Sequence, residues 1–289
     1  MTAHSRVAAG SRKLIVTADD FGAAREVNEA VEIAHTRGIL TAASLMMSGA
    51  AVGDAVARAR RLPALRVGLH LVLVDGTPVL PPSAIPDLVD RDGRFPRALS
   101  RAGANVFFRR GARRQLAAEI TAQFDAFQRT GLSLDHVNAH HHFHLHPTVG
   151  ALVLEIGARR GLRALRVPLE PRGVVARVDP SSPARDDWRA IACAKLLRRR
   201  ARRRRIMAPT NVFGIAWSGA LSRARLEGLL RHLPDGVNEI YAHPATHDRF
   251  AGGDTGHADE LAALIDPGIT ALVRSSDFST GGYSDFLWR

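Results

Sequence analysis

The chain has 289 residues, 46% of them apolar, which is enough for one large α/β domain and excludes a disordered composition. Its net charge of +12 favours an anionic partner, but aromatic residues make up only 6% and are not interleaved with basic ones, which disfavours nucleic acid. The single cysteine, Cys193, excludes an intramolecular disulfide and a cysteine-based zinc cluster, and with no visible leader or long apolar run a cytoplasmic location is expected.

Short apolar runs alternate with helical patterns along the chain, after a small, polar stretch over 1–12 that predicts a flexible N-terminal arm. The predicted strands are 13–20, 40–49, 65–73, 134–142, 163–169, 210–217 and 236–244. The predicted helices are 23–38, 50–63, 112–129, 148–160, 185–204, 222–232 and most of 257–274. This alternation predicts parallel β-α-β units in a single domain over 13–289, forming an irregular TIM-like barrel of about seven parallel strands. An open, doubly wound sheet is the alternative.

Two segments depart from the alternation. Residues 75–111 are rich in Pro, Gly and Asp and are too long for an ordinary connection, so they predict a loop or lid insertion with short helical pieces. The run "LLRRRARRRR" (196–205) suggests an anionic partner, which is nucleic acid, phosphate or a membrane surface, and a solvated helix and loop explain it equally well. Its membrane-contact candidates are Arg198, Arg199, Arg200, Arg202, Arg203, Arg204 and Arg205.

Four predicted strands end in acidic or histidine residues: Asp19 and Asp20, His70, the histidines of 140–144, and His243. The carboxyl ends of parallel strands meet at the face where α/β barrels place their sites. These side chains are therefore expected to converge on one site. Satisfied polar groups at strand exits would explain each position singly, but all four only poorly.

The Asp pair and the histidines indicate a metal centre. Successive strand residues face opposite sides, so Asp19 and Asp20 share a site only where the strand gives way to loop, and Phe21-Gly22 supplies that break. Two adjacent carboxylates normally hold a proton between them unless a cation neutralises them. One Asp with two neutral imidazoles such as His70 leaves positions open for water and substrate. A helix-capping Asp pair and a core histidine are the alternatives.

The segment "HVNAHHHFHLHP" (136–147) holds six histidines within eleven positions. If residues 134–142 form a strand, His141 points away into the helical layer. The histidines that would share the other face are His136, His140, His142 and His144. His140, near the strand end, is the best ligand candidate, and whether His144 is also a ligand stays open. His146 precedes Pro147, a helix-start signal, and is the least suited.

His243 in "YAHP" is the candidate general acid, because an imidazole can donate a proton near neutral pH. Arg166 in "RVP" could orient a catalytic carboxylate through a charge-assisted hydrogen bond. A surface arginine is the alternative for Arg166.

The motifs "TADDFG", "GLHL", "HVNAHHHFH", "RVP" and "YAHP", in this order, resemble the YdjC family of carbohydrate deacetylases, distant relatives of the NodB-type polysaccharide deacetylases. The resemblance spans roughly residues 13–286. The longer stretches "NAHHHFHLHPT" and "GLHLVLVDGTPVLPP" look most like the hopanoid-biosynthesis-associated branch. That branch implies deacetylation of an N-acetylglucosaminyl hopanoid, at the inner face of a membrane.

The resemblance implies a role for each matching residue. Asp19 would be the general base, His243 the acid and Arg166 the residue that steadies the base. The implied metal ligands are Asp20, His70 and His140. The implied substrate-binding or supporting residues are Phe21, Asn138, His142, His144 and His247. Asn138 departs from the pattern, since many family members have Asp there.

The resemblance also implies one divalent metal ion, with zinc favoured by the His/His/Asp set and magnesium, cobalt and manganese compatible with it. A metal-bound water would attack the acetamide carbonyl and release acetate and a free amine. The expected partners are an N-acetylglucosaminyl lipid or oligosaccharide, an anionic membrane surface and a second copy in a homodimer. The alternatives are a metal-dependent phosphoesterase or amidohydrolase and a non-enzymatic basic barrel that binds membrane or nucleic acid.

Overall fold

Strands and helices alternate along the chain in the computed structural model, which describes residues 12–182, 187–248 and 256–287. The strands are β1 (Arg12–Phe21), β2 (Ala42–Leu45), β3 (Arg66–Leu71), β4 (Val137–Ala139), β5 (Asn211–Phe213), β6 (Gly236–Ala242) and β7 (Ser279–Thr280). The α-helices are α1 (Arg25–Arg37), α2 (Val52–Arg61), α3 (Leu99–Phe108), α4 (Arg110–Arg129), α5 (Pro147–Ala158), α6 (Arg172–Val178), α7 (Trp188–Arg203), α8 (Arg223–His232), α9 (His257–Ile265) and α10 (Pro267–Ser275). Short 3-10 helices lie at Pro82–Ala84, His140–Leu145 and Ser284–Phe286.

The strands form one sheet in the order β4-β3-β2-β1-β6-β5, with every neighbouring pair parallel and β7 paired to the start of β1. Parallel bridges run on from β4 to the segment preceding β5, joining Val137 to Leu165 and Ala164 to Met207. These bridges extend the sheet from β4 toward the segment that leads into β5, so the sheet curls into an irregular, partly closed barrel. The prediction of a TIM-like barrel of parallel strands is confirmed.

Four predicted strands are much shorter than expected, and one of them, predicted over 40–49, is limited to β2. The strand predicted over 163–169 is limited to two bridged residues, Ala164 and Leu165, because Pro168 lacks the N–H that a longer strand needs. The strand predicted over 210–217 is limited to β5, which Gly214 ends with a φ of 116°. The strand predicted over 134–142 is limited to β4, and a 3-10 helix follows it.

The predicted helices are present, with changed ends. The predicted basic helix over 185–204 corresponds to α7, and residues 185 and 186 lie outside the described part. The predicted helix over 257–274 is divided into α9 and α10, because Pro267 starts a new helix that the Asp266 carboxylate caps. The predicted arm over 1–12 lies outside the described residues, except for Arg12, which belongs to β1.

The 75–111 insertion contains a full helix, α3, and its last residues already belong to α4. Side chains of α4 hold the start of the insertion. The buried carboxylate of Glu119 accepts from the backbone N–H groups of Val79 and Leu80, at 2.8 and 3.0 Å. The buried amide of Gln123 bonds to both backbone groups of Val72. The insertion is therefore anchored to the barrel at its first residues.

The side chains of β1 point alternately into two hydrophobic clusters, one on each face of the sheet. Leu14, Val16 and Ala18 face the helices and belong to the larger hydrophobic cluster, between the sheet and the helical layer. Ile15 faces the inside of the barrel, where the smaller cluster joins it to Ala42, Ala164, Met207 and Tyr283. Further along the same inner face lie Thr17 and Asp19. The barrel interior thus changes from apolar at the start of β1 to polar at its end. Among the described helices, none has the length and apolar character needed to cross a membrane.

Candidate active site

Asp20, His70 and His140 come together at the carboxyl ends of β1, β3 and β4. One ligand atom from each lies within 4.8 Å of the other two. Asp20 Oδ1 is 3.3 Å from both His70 Nε2 and His140 Nδ1. Asp20 Oδ1 and His70 Nε2 are buried and make no well-formed hydrogen bond within the described residues. Buried acceptor atoms that face one another in this way fit a divalent cation, because the cation would satisfy both.

A β-bulge lets both aspartates reach the site. The pairing of β1 with β2 shifts register between Ala18 and Phe21, and Asp20 has a left-handed backbone with a φ of 61°. The strand alternation is broken at Asp20, one residue before the predicted break at Phe21-Gly22. Asp19 therefore keeps its inward direction, and Asp20 turns toward the two histidines.

Asp19 is 2% exposed and is held by two side chains. Arg166 donates to both of its carboxylate oxygens, including a 3.0 Å bond from Nη2 to Oδ1. Asn138 Nδ2 donates to Oδ1 at 3.0 Å. Burial raises the pKa of this carboxyl, but the charges of Arg166 and His70 outweigh burial and hold the pKa well below its ordinary value. Asp19 is thus an ionised, oriented carboxylate inside the barrel.

The carboxyl of Asp20 is ionised as well. Burial raises its pKa, but the neighbouring His140 and His70 rings lower the pKa by more, so it lies well below its ordinary value. Asn138, which donates to Asp19, also contacts the histidine beside Asp20, because its Oδ1 lies 2.7 Å from His70 Nδ1. An amide oxygen can only accept, so His70 carries a proton on Nδ1, and its Nε2, which points toward Asp20, would be free to bind a cation there. The Asn138 side chain thus bonds to both His70 and Asp19.

Arg166 is fully buried and connects Asp19 to residues that the sequence analysis missed. Its Nε and Nη2 donate to Glu239 Oε1 at 3.0 and 2.6 Å. Its guanidinium also lies over the ring of Tyr241, 4.4 Å from the ring centroid. Alternation along β6 places Glu239, Tyr241 and His243 on one side of the strand, so the period of two could have identified both missed residues.

His243 follows the last residue of β6, and its ring lies beside that of Tyr241, with the centroids 5.6 Å apart. Its backbone N–H donates to Glu260 Oε2 at 2.5 Å, and its carbonyl oxygen accepts from His257 Nδ1. Its ring is close enough to contribute to the lowered pKa of Asp19. His243 is therefore held by its backbone at the edge of the same site.

The histidines of 140–146 do not share one face, because the chain leaves the strand at His140. His141 and His142 have left-handed φ values of 51° and 53°. His141, predicted to point into the helical layer, instead lies beside Asp75, with Nε2 3.2 Å from Oδ2, and is 43% exposed. His142 Nε2 lies 3.1 Å from the Tyr241 hydroxyl, and His144 Nε2 donates to the carbonyl oxygen of Arg166 at 2.8 Å. Burial lowers the pKa of both rings, that of His144 to about 4.

A second group of ligand atoms lies next to the first and shares one residue with it. Asp75, His140 and His141 also bring ligand atoms within 4.8 Å of one another. Asp75 is half-buried and additionally accepts from the exposed Arg97 at 3.1 Å. This second group is more open to solvent than the group of Asp20 and His70, which therefore offers the drier cation site.

The remaining predicted residues lie further from the aspartates. Phe21 is fully buried in the larger hydrophobic cluster, beneath the site. The His247 ring lies 3.7 Å from the carboxylate of Glu26, at the start of α1. Of the arginine run, six are exposed: Arg198, Arg199, Arg202, Arg203, Arg204 and Arg205. Arg200 is half-buried and donates to the carbonyl oxygen of Pro147, so it supports the contact of α7 with α5.

A curled parallel sheet carries, at the carboxyl ends of its strands, a buried carboxylate and a group of Asp and His side chains that could hold a metal ion. These features define the class of this protein as an α/β barrel with its candidate site at that end. The chain belongs to the YdjC-like protein family, whose model matches residues 13–275.

Similar proteins cover nearly the whole chain. A carbohydrate deacetylase of Geobacillus stearothermophilus is 31% identical over 280 residues, covering 95% of this chain and 98% of the relative. A carbohydrate deacetylase of Vibrio vulnificus CMCP6 is 35% identical, with 96% and 97% covered. A chitooligosaccharide deacetylase of Yersinia pestis Pestoides F is 28% identical, with 94% and 98% covered. A crystal structure of an Enterococcus faecalis V583 protein, assigned to cellobiose-phosphate cleavage, has a TM-score of 0.76 at 22% identity, covering 96% of this chain and 99% of that one. That likeness concerns the fold.

Proposed function

We propose that this protein is a metal-dependent carbohydrate deacetylase that hydrolyses the N-acetyl group of an N-acetylglucosamine-type sugar. The observation that carries the proposal is the ionised carboxylate of Asp19, clamped beside the cation-binding group of Asp20, His70 and His140. The names of the relatives from Geobacillus, Vibrio and Yersinia support the activity and the substrate class.

Zinc is the proposed ion, because two imidazoles and one carboxylate are ligands that zinc commonly takes in hydrolytic sites. A bound divalent cation polarises an amide carbonyl and makes a water molecule more acidic. Asp20, His70 and His140 would hold it, with Asn138 fixing the orientation of the His70 ring.

Asp19 and His243 would each carry out one of the two proton transfers. Asp19 accepts a proton from the attacking water as that water's oxygen bonds to the acetamide carbon. Arg166 keeps the Asp19 oxygens directed into the site through two hydrogen bonds. His243 donates a proton to the leaving nitrogen as the C–N bond breaks. The products are acetate and the free amino sugar.

The test measures acetate release from a chitooligosaccharide by the zinc-loaded protein. Wild type is expected to release acetate, and Asp19→Asn to be at least about 100-fold slower, since it loses the proton acceptor. Asp125→Asn, which removes a surface ion pair with Arg160, is the matched control and should keep wild-type activity. Phosphate release from a chromogenic ester without acetate release would favour the phosphoesterase alternative.

We further propose that the natural substrate is an N-acetylglucosaminyl hopanoid, reached at the inner face of an anionic membrane. The support is the resemblance of the "NAHHHFHLHPT" and "GLHLVLVDGTPVLPP" stretches and the six exposed arginines at the end of α7. Each arginine near an anionic surface contributes about 1 kcal/mol to binding.

Vesicle binding tests the membrane part of this proposal. Changing Arg202–Arg205 to Ser should weaken binding to phosphatidylserine vesicles by at least about 100-fold at low salt. The control removes four exposed arginines elsewhere, Arg37, Arg60, Arg61 and Arg274, for the same change in net charge. Equal loss in both variants would point to net charge alone and contradict a localised contact.

A further inference from the structure

The C-terminal segment 279–287, here called the strap, closes the end of the barrel opposite Asp19. Its strand β7 pairs with the first residues of β1, whose far end carries Asp19. Tyr283 of the strap is fully buried and packs inside the barrel with Ile15 and Met207. Its ring stacks on that of His136, with the centroids 4.2 Å apart. The strap thus contributes a side chain to the barrel interior.

One buried hydrogen-bond path leads from Tyr283 to Asp19. The Tyr283 hydroxyl donates to Glu239 Oε2. Glu239 Oε1 accepts from Arg166 and from the Thr17 hydroxyl, the latter at 2.8 Å. Arg166 in turn donates to both oxygens of Asp19. Every side chain on this path is at most 2% exposed, so water does not compete for its bonds.

A second buried path leads from the strap to the same carboxylate. The backbone N–H groups of Tyr283 and Ser284 donate to the Asp135 carboxylate, at 3.1 and 2.8 Å. Asp135 Oδ2 lies 2.9 Å from His136 Nδ1, and His136 Nε2 lies 2.9 Å from the Ser44 hydroxyl. The path ends at Asn138, whose side-chain Nδ2 bonds to both Ser44 and Asp19.

The donors and acceptors of the second path can be assigned consistently from end to end. Asn138 Nδ2 has two protons, and they go to Asp19 Oδ1 and Ser44 Oγ. Ser44 can then give its own proton to His136 Nε2, which leaves the His136 proton on Nδ1 for Asp135. Asn138 Oδ1 remains to accept from His70 Nδ1. The same amide that ends the path therefore also sets the tautomer of a proposed metal ligand.

We propose that the strap is a positioning element of the active site, and that Tyr283 is a positioning residue acting on Asp19 through both paths. The inference rests on the proposed function, in which Asp19 accepts the proton. The strap lies beyond residues 13–275, the part of the chain that the family model matches.

Two conservative variants test the two paths. Tyr283→Phe keeps the ring stack on His136 and removes only the bond to Glu239, while Ser44→Ala interrupts the second path. Each is expected to lower kcat for acetate release about 10-fold at unchanged KM, because the carboxylate is less well held while the substrate site is intact. Thermal unfolding, measured alongside, should stay close to that of wild type. Glu155→Gln, which removes an exposed ion pair with Arg159 outside the strap and both paths, is the control and should keep wild-type kcat.

Zinc affinity, measured by competition with a chromophoric chelator, is the second readout and needs no substrate. Both variants should bind zinc several-fold more weakly, since Asp19 precedes Asp20 and Asn138 holds His70. If wild type releases no acetate, the proposed function fails and zinc affinity alone judges the strap. If Tyr283→Phe does not fold, Ser44→Ala carries the test. Wild-type kcat and zinc affinity in folded variants would overturn the inference.

Discussion

Arg166 determines whether two carboxylates can be buried side by side in the barrel. Asp19 and Glu239 both accept from its guanidinium, and all three side chains are buried. A buried ion pair contributes little net stability against an apolar replacement, but removing one partner leaves a charge with neither water nor counterion. The arginine predicted from sequence to steady a base therefore also has a role in stability.

Replacing Arg166 with Met should expose that role. With Asp19 and Glu239 left facing each other, the free energy of unfolding is expected to fall by about 3–5 kcal/mol in urea denaturation at pH 7. Adding Glu239→Gln removes one of the two carboxylates and should recover part of the loss. A double variant no more stable than Arg166→Met would show that carboxylate repulsion is not the cause.

His144 makes stability depend on pH. Burial lowers its pKa from 6.5 to about 4 in the folded chain, so the unfolded chain binds the proton more readily between these values. Stability contributed by the neutral ring is therefore complete above pH 6.5 and is lost as pH falls toward 4, by about 3 kcal/mol. His144→Gln can still donate to the Arg166 carbonyl and cannot titrate. Its unfolding free energy should fall less between pH 6.5 and 4 than that of wild type, and equal slopes would contradict this.

Site residues could be predicted from sequence where they stand at the end of a recognisable strand. Asp19, Asp20, His70 and His140 follow apolar runs, so local pattern was enough to place them together. Strand alternation did not predict the directions of the histidines after His140. The left-handed backbone at His141 and His142 cannot be seen in an alternating pattern.

Other partners could not be predicted because they depend on how distant elements meet. Ser44, Asp135 and Tyr283 are unremarkable in sequence, and their bonds form only when the sheet curls and the strap enters the barrel. Strand β7 could not be predicted, since its two residues carry no periodicity.

At the level of elements, β3 carries a glycine where the barrel interior has no room for a side chain. A Cβ on Gly68 would lie 2.5 Å from His136 Nδ1. The His136 ring, which precedes β4, thus fills the space inside the barrel next to Gly68. His70 is the next residue of β3 whose side chain points into the barrel.

Gly68→Ala should therefore displace His136 and lower the free energy of unfolding by about 1–3 kcal/mol. Gly53→Ala is the matched control, since a Cβ on Gly53 in α2 meets nothing within 4 Å. That variant should be neutral or stabilising by up to about 1 kcal/mol. Urea denaturation compares the two variants directly. Equal stability would mean that the His136 ring can move aside at little cost, which would contradict this prediction.

For the whole molecule, curling the sheet gathers ligands from Asp20, His70 and His140, which are far apart in sequence, onto one face. The cation site exists only when β1, β3 and β4 are aligned, so an ion that binds there stabilises the folded chain and not the unfolded one. Metal binding should consequently be visible as increased thermal stability, without any substrate.

Zinc at about 100 times its dissociation constant should add about 2.7 kcal/mol to the unfolding free energy and raise Tm by several degrees. Asp20→Asn should abolish most of this shift, because it removes the carboxylate that both histidines face. Asp75→Asn alters the neighbouring, more exposed group that shares His140, and should leave the shift nearly intact. The reverse pattern, with the shift lost in Asp75→Asn and kept in Asp20→Asn, would place the ion between Asp75, His140 and His141. The cation would then not be bound by Asp20, the residue next to Asp19. The proposal that Asp19 accepts the proton of the attacking water would have to be abandoned.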